Sequence, residues 1–275
     1  MARRRLDAEL VRRELAPSRE QAQSAIADGR VRVRGVVATK ASTQVEDSVA
    51  IEVDLVDQQY VSRGAYKLIG ALDAFHIDVT ARRALDAGAS TGGFTQVLLE
   101  RGVDEVLAVD VGYGQIAWHL RNDDRVHVFE RTNVRYLGVD DVPFRPNLVV
   151  ADLSFISLTK VLPALQEVSA PGADFVVMVK PQFEAGRERV GSGVVTDPEV
   201  RIGAVSAVAE CARELGMGIQ GVQASPLPGP KGNVEYFLWM KRSGDDGEQI
   251  GDHDGLMDPG ETAVAIRRAV HEGPQ

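Results

Sequence analysis

Leu85-Asp86-Ala87-Gly88-Ala89-Ser90-Thr91-Gly92-Gly93-Phe94-Thr95 is the stretch around which the chain is organised. Ala84-Leu85 closes a short apolar run, as the end of a buried parallel strand does. Three glycines and two hydroxyl residues follow, and Phe94, Val97, Leu98 and Leu99 open a helical pattern. Strand, glycine-rich turn, helix is the arrangement in which backbone N–H groups and a helix N-terminus line a nucleotide-sized crevice. A Cβ in such a turn would block the backbone or the ligand. The loop by itself is compatible with NAD, FAD or S-adenosylmethionine. Asp86, ahead of the first glycine, suits a ligand ammonium and would repel a pyrophosphate. Asp110, at the end of the next strand (105–110), is placed for two ribose hydroxyls, which suits NAD equally well. The balance favours S-adenosylmethionine, with Asp86, Gly88, Ser90, Thr91, Gly92, Phe94 and Asp110 as its binding residues.

Working outward, Val126–Phe129, Leu148–Asp152, Phe175–Val179 and Ile219–Ala224 read as further strands, and Glu235–Met240 as a last one that pairs antiparallel. Strands alternating with helical patterns give a doubly wound sheet whose ligands sit beyond the strand carboxyl ends. Asp86, Asp110, Asp152 and Lys180 all fall at such ends and are expected to line one crevice. Tyr113, in the turn Val111-Gly112-Tyr113-Gly114-Gln115, could cover an adenine or ribose, and Asn133, after the third strand, could meet an adenine edge. Ala65, Leu68, Ile69, Leu72 and Phe75 form the apolar stripe of a helix, with Lys67 at its border. A lysine there ordinarily snorkels to solvent. Lys180, directly after a buried strand and before Pro181, is harder to explain structurally. Residues 184–196 read as a mobile loop, Asp197 as the cap of a long helix, and residues 263–270 as a short terminal helix.

The 275 residues carry 31 Lys and Arg against 40 Asp and Glu, a net charge of −9. The charge is unevenly spread. Residues 1–50 hold ten basic and seven acidic residues, net +3, and the remainder 21 and 33, net −12. A basic module attached to an acidic one is implied. A single cysteine, Cys211 in a helical pattern, allows no internal disulfide; a four-ligand zinc site is not indicated, and the five histidines show no ligand spacing. No metal is expected. Asp7 and Glu9 interrupt what a signal peptide would need to be apolar, and no run approaches the ~20 apolar residues of a membrane span. A cytoplasmic protein without membrane contact is expected.

Residues 3–28 read as two short helices, the first carrying Arg3, Arg4 and Arg5, the second opened by a capping box of Ser18 and Gln21. Val31-Arg32-Val33-Arg34 alternates as a strand, the Arg34-Gly35 pair turns the chain, and Ile51–Val53 completes a small α+β unit. Arg3, Arg4, Arg5, Ser18, Arg19, Arg30, Arg32, Arg34 and Lys40 are the candidate RNA contacts of this basic unit. Arg5-Leu6-Asp7, Ser18-Arg19-Glu20-Gln21-Ala22, Ile26 and Gly29-Arg30-Val31-Arg32-Val33-Arg34-Gly35 resemble the alpha-L RNA-binding motif, as found in a small-subunit ribosomal protein of the S4 type. That motif usually has Asn where this chain has Arg34.

Lys67, Asp152, Lys180 and Glu235 also follow the Lys-Asp-Lys-Glu order of FtsJ-like ribose 2′-O-methyltransferases. A ribose hydroxyl is a poor nucleophile near neutral pH. A lysine whose pKa is lowered by burial and by a second cation can take or stabilise its proton. The resemblance assigns that part to Lys180, with Lys67 assisting and Asp152 and Glu235 holding the lysines. An alpha-L domain ahead of an FtsJ-like domain, together with 61–68, 85–95, 110–115, 152–157, 180–184 and 232–236, resembles the TlyA family. Actinobacterial members carry Arg-x-Trp-Val where this chain has Gln58-Gln59-Tyr60-Val61.

The resemblance implies a Rossmann-like class I S-adenosylmethionine-dependent methyltransferase, with a seven-stranded, mostly parallel sheet and an antiparallel last strand. The expected domains are 1–57 (RNA-binding), 58–63 (linker), 64–243 (methyltransferase) and 244–275 (an acidic flexible segment and a short helix). It further implies 2′-O-methylation of cytidines in 16S or 23S rRNA of the small and/or large ribosomal subunit, and an effect on susceptibility to capreomycin-like antibiotics. Two rival classes are a haemolysin-like membrane-active protein and a non-catalytic ribosome assembly factor. The first needs an exposed amphipathic segment and would release vesicle contents; the second would be indifferent to loss of Lys180.

Overall fold

The computed structural model describes residues 3–16, 19–27, 29–53, 59–186, 193–229, 232–244 and 255–273. Ser18, residues 54–58 around the expected linker, 187–192 of the expected loop and 245–254 of the acidic segment lie outside the described residues. The chain divides into two compact units, residues 1–59 and 60–275.

In the first unit Arg3–Arg5 form strand β1, which pairs antiparallel with β4 (Gln44–Glu46). A helix beginning at residue 3 was expected, so this is a correction. The pairing continues into Leu6, whose N–H donates to the Thr43 carbonyl at 2.8 Å, and helix α1 therefore starts at Leu6 and runs to Arg12. Helix α2 spans Arg19–Ala27. Strands β2 (Val31–Val33), β3 (Val36–Val37) and β5 (Ile51–Val53) form an antiparallel sheet in the order β3-β2-β5. Leu6, Leu10, Ala22, Ile26, Val31 and Val45 make the core. Arg34 (φ 54°) and Gly35 (φ 77°) supply the two left-handed residues that a tight hairpin between β2 and β3 requires.

The second unit opens with α3 (Gly64–Phe75) and then alternates. β6 (Arg83–Ala87), α4 (Gly93–Glu100), β7 (Glu105–Val109), α5 (Trp118–Arg121) and β8 (Val126–Phe129) build one half. β9 (Leu148–Ala151), α6 (Leu162–Val168), β10 (Asp174–Val179), α7 (Pro181–Glu184), α8 (Pro198–Glu214), β11 (Met217–Ala224) and β12 (Tyr236–Arg242) build the other. The seven strands lie in the order β11-β12-β10-β9-β6-β7-β8, parallel throughout except for β12, which runs antiparallel to both its neighbours.

Period-two alternation divides the strand side chains between two cores. Leu85, Leu107, Val149 and Val177 face one, where α6 and α8 pack; Ala84, Val106, Val150 and Val176 face the other, where α3 and α4 pack. β9 is buried on both faces, as a central parallel strand must be. Leu68 and Leu72 seal α3 to the sheet, each contributing about 1.5–3 kcal/mol through burial. The terminal helix α9 runs over Pro259–Glu272, longer than the expected 263–270, because Asp258 and Glu261 form a capping box around Pro259.

Candidate active site

The carboxyl ends of four adjacent parallel strands and the amino end of the antiparallel β12 supply the site. In sheet order they bring Glu235 (entering β12), Lys180 (leaving β10), Asp152 (leaving β9), Asp86 and Gly88 (leaving β6) and Asp110 (leaving β7) to one edge. Val179 pairs with Tyr236, so Lys180 and Glu235 flank the last registered pair of β10 and β12.

Gly88 is left-handed (φ 89°), and a Cβ there would lie 2.6 Å from the Asp152 carbonyl oxygen. Only glycine lets the β6 turn pass this close to the end of β9. Gly92 (φ 98°) precedes α4, and a Cβ would meet the Leu120 side chain at 2.4 Å. Asp110 receives the Ser90 N–H on one carboxylate oxygen at 2.9 Å and the Gly112 N–H on the other at 2.6 Å. Each oxygen keeps a lone pair for a further donor. A cavity of about 470 Å³ opens here, lined among others by Gly88, Ser90, Asp110, Asn133, Asp152 and Ser154.

Asp86 is wholly buried. The Thr95 hydroxyl donates to its Oδ2 at 2.7 Å, while Oδ1 has no protein partner. Burial pushes its pKa up to about 7; the Thr95 hydrogen bond opposes this and the carboxylates of Asp152 and Asp110 add to it. Oδ1 is thus left open to a proton of its own or to a donor that the chain does not supply, such as a water or a ligand ammonium.

Other residues expected at the cofactor occupy varied places. Thr91 builds the turn, its carbonyl accepting the Ala117 N–H at 3.1 Å. The Phe94 side chain is in the core, 4% exposed and tilted against Phe237 with ring centroids 6.3 Å apart. At that position the helical stripe of α4 turns the ring inward, away from the cavity. Tyr113 is on the surface with the Arg131 guanidinium 4.2 Å above its ring. The Asn133 Oδ1 accepts the Arg135 N–H at 3.0 Å while the residue lines the cavity.

Two lysine–carboxylate pairs stand at the sheet edge. Lys67 is buried rather than snorkelling, its Nζ 2.5 Å from Glu235 Oε2. Lys180 Nζ lies 2.5 Å from Asp152 Oδ1 and donates to Ser154 Oγ at 3.0 Å. Ser154 and Thr95 were not singled out from the sequence. Both lie in quoted motifs; Ser154 meets Lys180 across two adjacent strand ends, and Thr95 meets Asp86 within one motif, back across the glycine turn.

In the first unit the basic residues are partly engaged. Asp7 and Glu9 are fully buried beneath them. Arg5, Arg19 and Gln23 bond Asp7, and Arg12 and Arg13 bond Glu9. Arg5 first of all holds the Asp7 carboxyl well below the usual carboxylate range, and Arg12 chiefly lowers that of Glu9 to about 2, burial opposing in both cases. Arg3 reaches Glu46 at 3.2 Å and Arg4 bonds Asp47. Arg34 and Lys40 are exposed, and Arg30 and Arg32 half-buried. Among the described residues no His, Cys, Asp and Glu are grouped so as to hold a metal, and no helix is long and apolar enough to cross a membrane.

The FtsJ-like methyltransferase family matches residues 60–242 and the S4 domain residues 4–51. Over the full length of both chains, this one is 56% identical to the 16S/23S rRNA (cytidine-2′-O)-methyltransferase TlyA of Mycobacterium tuberculosis. The chain belongs to the TlyA family of FtsJ-like methyltransferases. The 23S rRNA (cytidine-2′-O)-methyltransferase TlyA of Campylobacter jejuni is 33% identical, over 69% of this chain and 74% of that one. A solved, hemolysin-labelled structure from Streptococcus thermophilus is 34% identical and superposes with a TM-score of 0.75, covering 99% of this chain and 96% of that one. Family and fold together identify a methyltransferase with a seven-stranded sheet and an S4 domain. They imply S-adenosylmethionine as the methyl donor, and the Gly88 cradle, the carboxylate of Asp110 and the orphaned oxygen of Asp86 fit that donor.

Proposed function

We propose that this protein transfers a methyl group from S-adenosylmethionine to the ribose 2′-hydroxyl of cytidines in ribosomal RNA of the small subunit, the large subunit or both. The observation that carries the reading is the Lys180–Asp152 pair, 2.5 Å apart, at the mouth of the glycine cradle.

S-adenosylmethionine, when bound, supplies an electrophilic methyl on a sulfonium. Asp110 takes the ribose hydroxyls of the donor, Asp86 its ammonium directly or through water, and Asn133 its adenine edge, with Gly88, Ser90, Thr91 and Gly92 shaping the backbone around it. Lys180 takes the departing proton of the substrate hydroxyl when it is the neutral amine, or stabilises the developing oxyanion when it is the ammonium, and Asp152 and Ser154 hold and orient it. Lys67 and Glu235, fixed on each other, keep the second side of the site in register. The remainder of the catalysis is in-line positioning. No metal takes part in this scheme.

Arg3, Arg4, Arg5, Ser18, Arg19, Arg30, Arg32, Arg34 and Lys40 of the S4 domain bring the RNA phosphates to the protein. Methylation of ribosomal RNA in this way would alter susceptibility to capreomycin-like antibiotics, and the site of action would be cytoplasmic. The test incubates labelled S-adenosylmethionine with separate unmethylated small and large ribosomal subunits and maps the modified nucleosides by mass spectrometry. Label in a 2′-O-methylcytidine supports the reading and shows which subunit is used. No transfer to either, despite cofactor binding, sinks the ribosomal assignment.

A further inference from the structure

Glu184 has no part in the scheme above, yet it occupies a telling place. It closes α7, the four-residue turn that begins immediately after Lys180. Its carboxylate is half-buried and reaches across to the neighbouring strand end. The Ser157 hydroxyl donates to Oε2, and the Leu158 N–H donates to Oε1 at 2.8 Å. Both partners are neutral, and burial pushes the carboxyl's pKa up against those two hydrogen bonds.

The segment gripped is Asp152–Leu158, which carries Asp152 at one end and lines the cavity through Leu153, Ser154, Phe155 and Ile156. Phe155 in its middle is left-handed (φ 65°) and 92% exposed. A bulky residue stays in that conformation only where its surroundings hold it. Its brackets come from one short stretch. Lys180 binds Ser154 just before Phe155, and Glu184 binds Ser157 and Leu158 just after it. Phe183, between them, sets its ring 5.2 Å from that of Phe155.

We propose that Glu184 is a positioning residue: it locks the Asp152–Leu158 segment onto the Lys180 turn and so fixes Asp152 and Ser154 against Lys180. The inference rests on the methyl-transfer role given to Lys180 above. What the position needs is reach and two hydrogen bonds, not charge. A Gln carbonyl can accept from Leu158 while its amide donates to Ser157 Oγ. An Asp keeps the charge and falls a methylene short.

The test measures kcat, the KM for the RNA substrate and thermal unfolding for wild type, Lys180→Ala, Glu184→Ala, Glu184→Gln and Glu184→Asp in the full chain. Glu184→Ala should lose about tenfold or more in kcat with KM for RNA little changed. Glu184→Gln should recover most of the rate and Glu184→Asp should not. Should Glu184→Ala fail to fold, the Gln and Asp pair decides alone. Wild-type kcat in Glu184→Ala or Glu184→Asp, or rescue by Asp and not Gln, overturns the positioning role while leaving that of Lys180 intact. Full activity in Lys180→Ala overturns the underlying reading instead, and this inference with it.

Discussion

Lys67 and Glu235, 168 positions apart in the chain, meet at 2.5 Å with their side chains 8% and 2% exposed. Removing one partner of a buried pair strands the other charge, whereas replacing both by neutral groups of similar volume is far milder. Lys67→Ala should therefore destabilise the second unit by about 3–5 kcal/mol. The double substitution Lys67→Met/Glu235→Gln should cost clearly less. Urea unfolding of the single and double variants checks both statements, and a double that is as unstable as the single would contradict them.

The two units should respond to pH with opposite signs. In the first, Arg12 lowers the pKa of Glu9 to about 2 from its ordinary 4.5, so its contribution is full above about 4.5 and is lost as pH falls toward 2. In the second, burial raises Asp86 to about 7 from 3.8. Its folded form holds the proton more tightly than the unfolded one, so stability is lost as pH rises from about 4 to 7. Hydrogen exchange resolved by residue across pH 2–8 reads the units separately. Glu9→Gln should flatten the acid limb of the first. Asp86→Asn should gain on the wild type with rising pH in the second, and a constant difference would contradict the burial argument.

Arg34 stands in the left-handed region (φ 54°) ahead of Gly35, where Asn-Gly is the favoured pair. Arg34→Asn should stabilise the first unit by up to about 1 kcal/mol. If Arg34 also meets a phosphate, the same change should lower the salt slope of RNA binding by about 1. Thermal unfolding and a salt titration of RNA affinity measure the two effects on one variant.

Much of the second unit was legible because a parallel sheet writes itself as apolar runs ending in special residues. Leu148–Ala151 and Phe175–Val179 are such runs, and their ends necessarily share one edge, which is why Asp152 and Lys180 meet. Arg3–Arg5 reads as helix in the sequence because its strand partner, Gln44–Glu46, lies some forty residues on, and Leu6 and Leu10 carry the helical period alone. The burial of Asp7 and Glu9 was equally hidden: acids in a basic helix read as interruptions until Arg12, Arg13 and Arg19 fold over them. Phe94 illustrates a limit of motif reading, since a position within a glycine-rich turn and the helix it opens need not point into the crevice. Ser154 became visible only through its contact with Lys180 across two strand ends.

The most direct test of the account is the single-turnover rate of methyl transfer to unmethylated ribosomal subunits by Lys180→Ala, read beside its affinity for S-adenosylmethionine. The account predicts a fall in rate of about 10²-fold or more, the scale of a lost proton acceptor, with cofactor affinity within a few-fold of wild type. A Lys180→Ala protein that transfers methyl at close to the wild-type rate would contradict it.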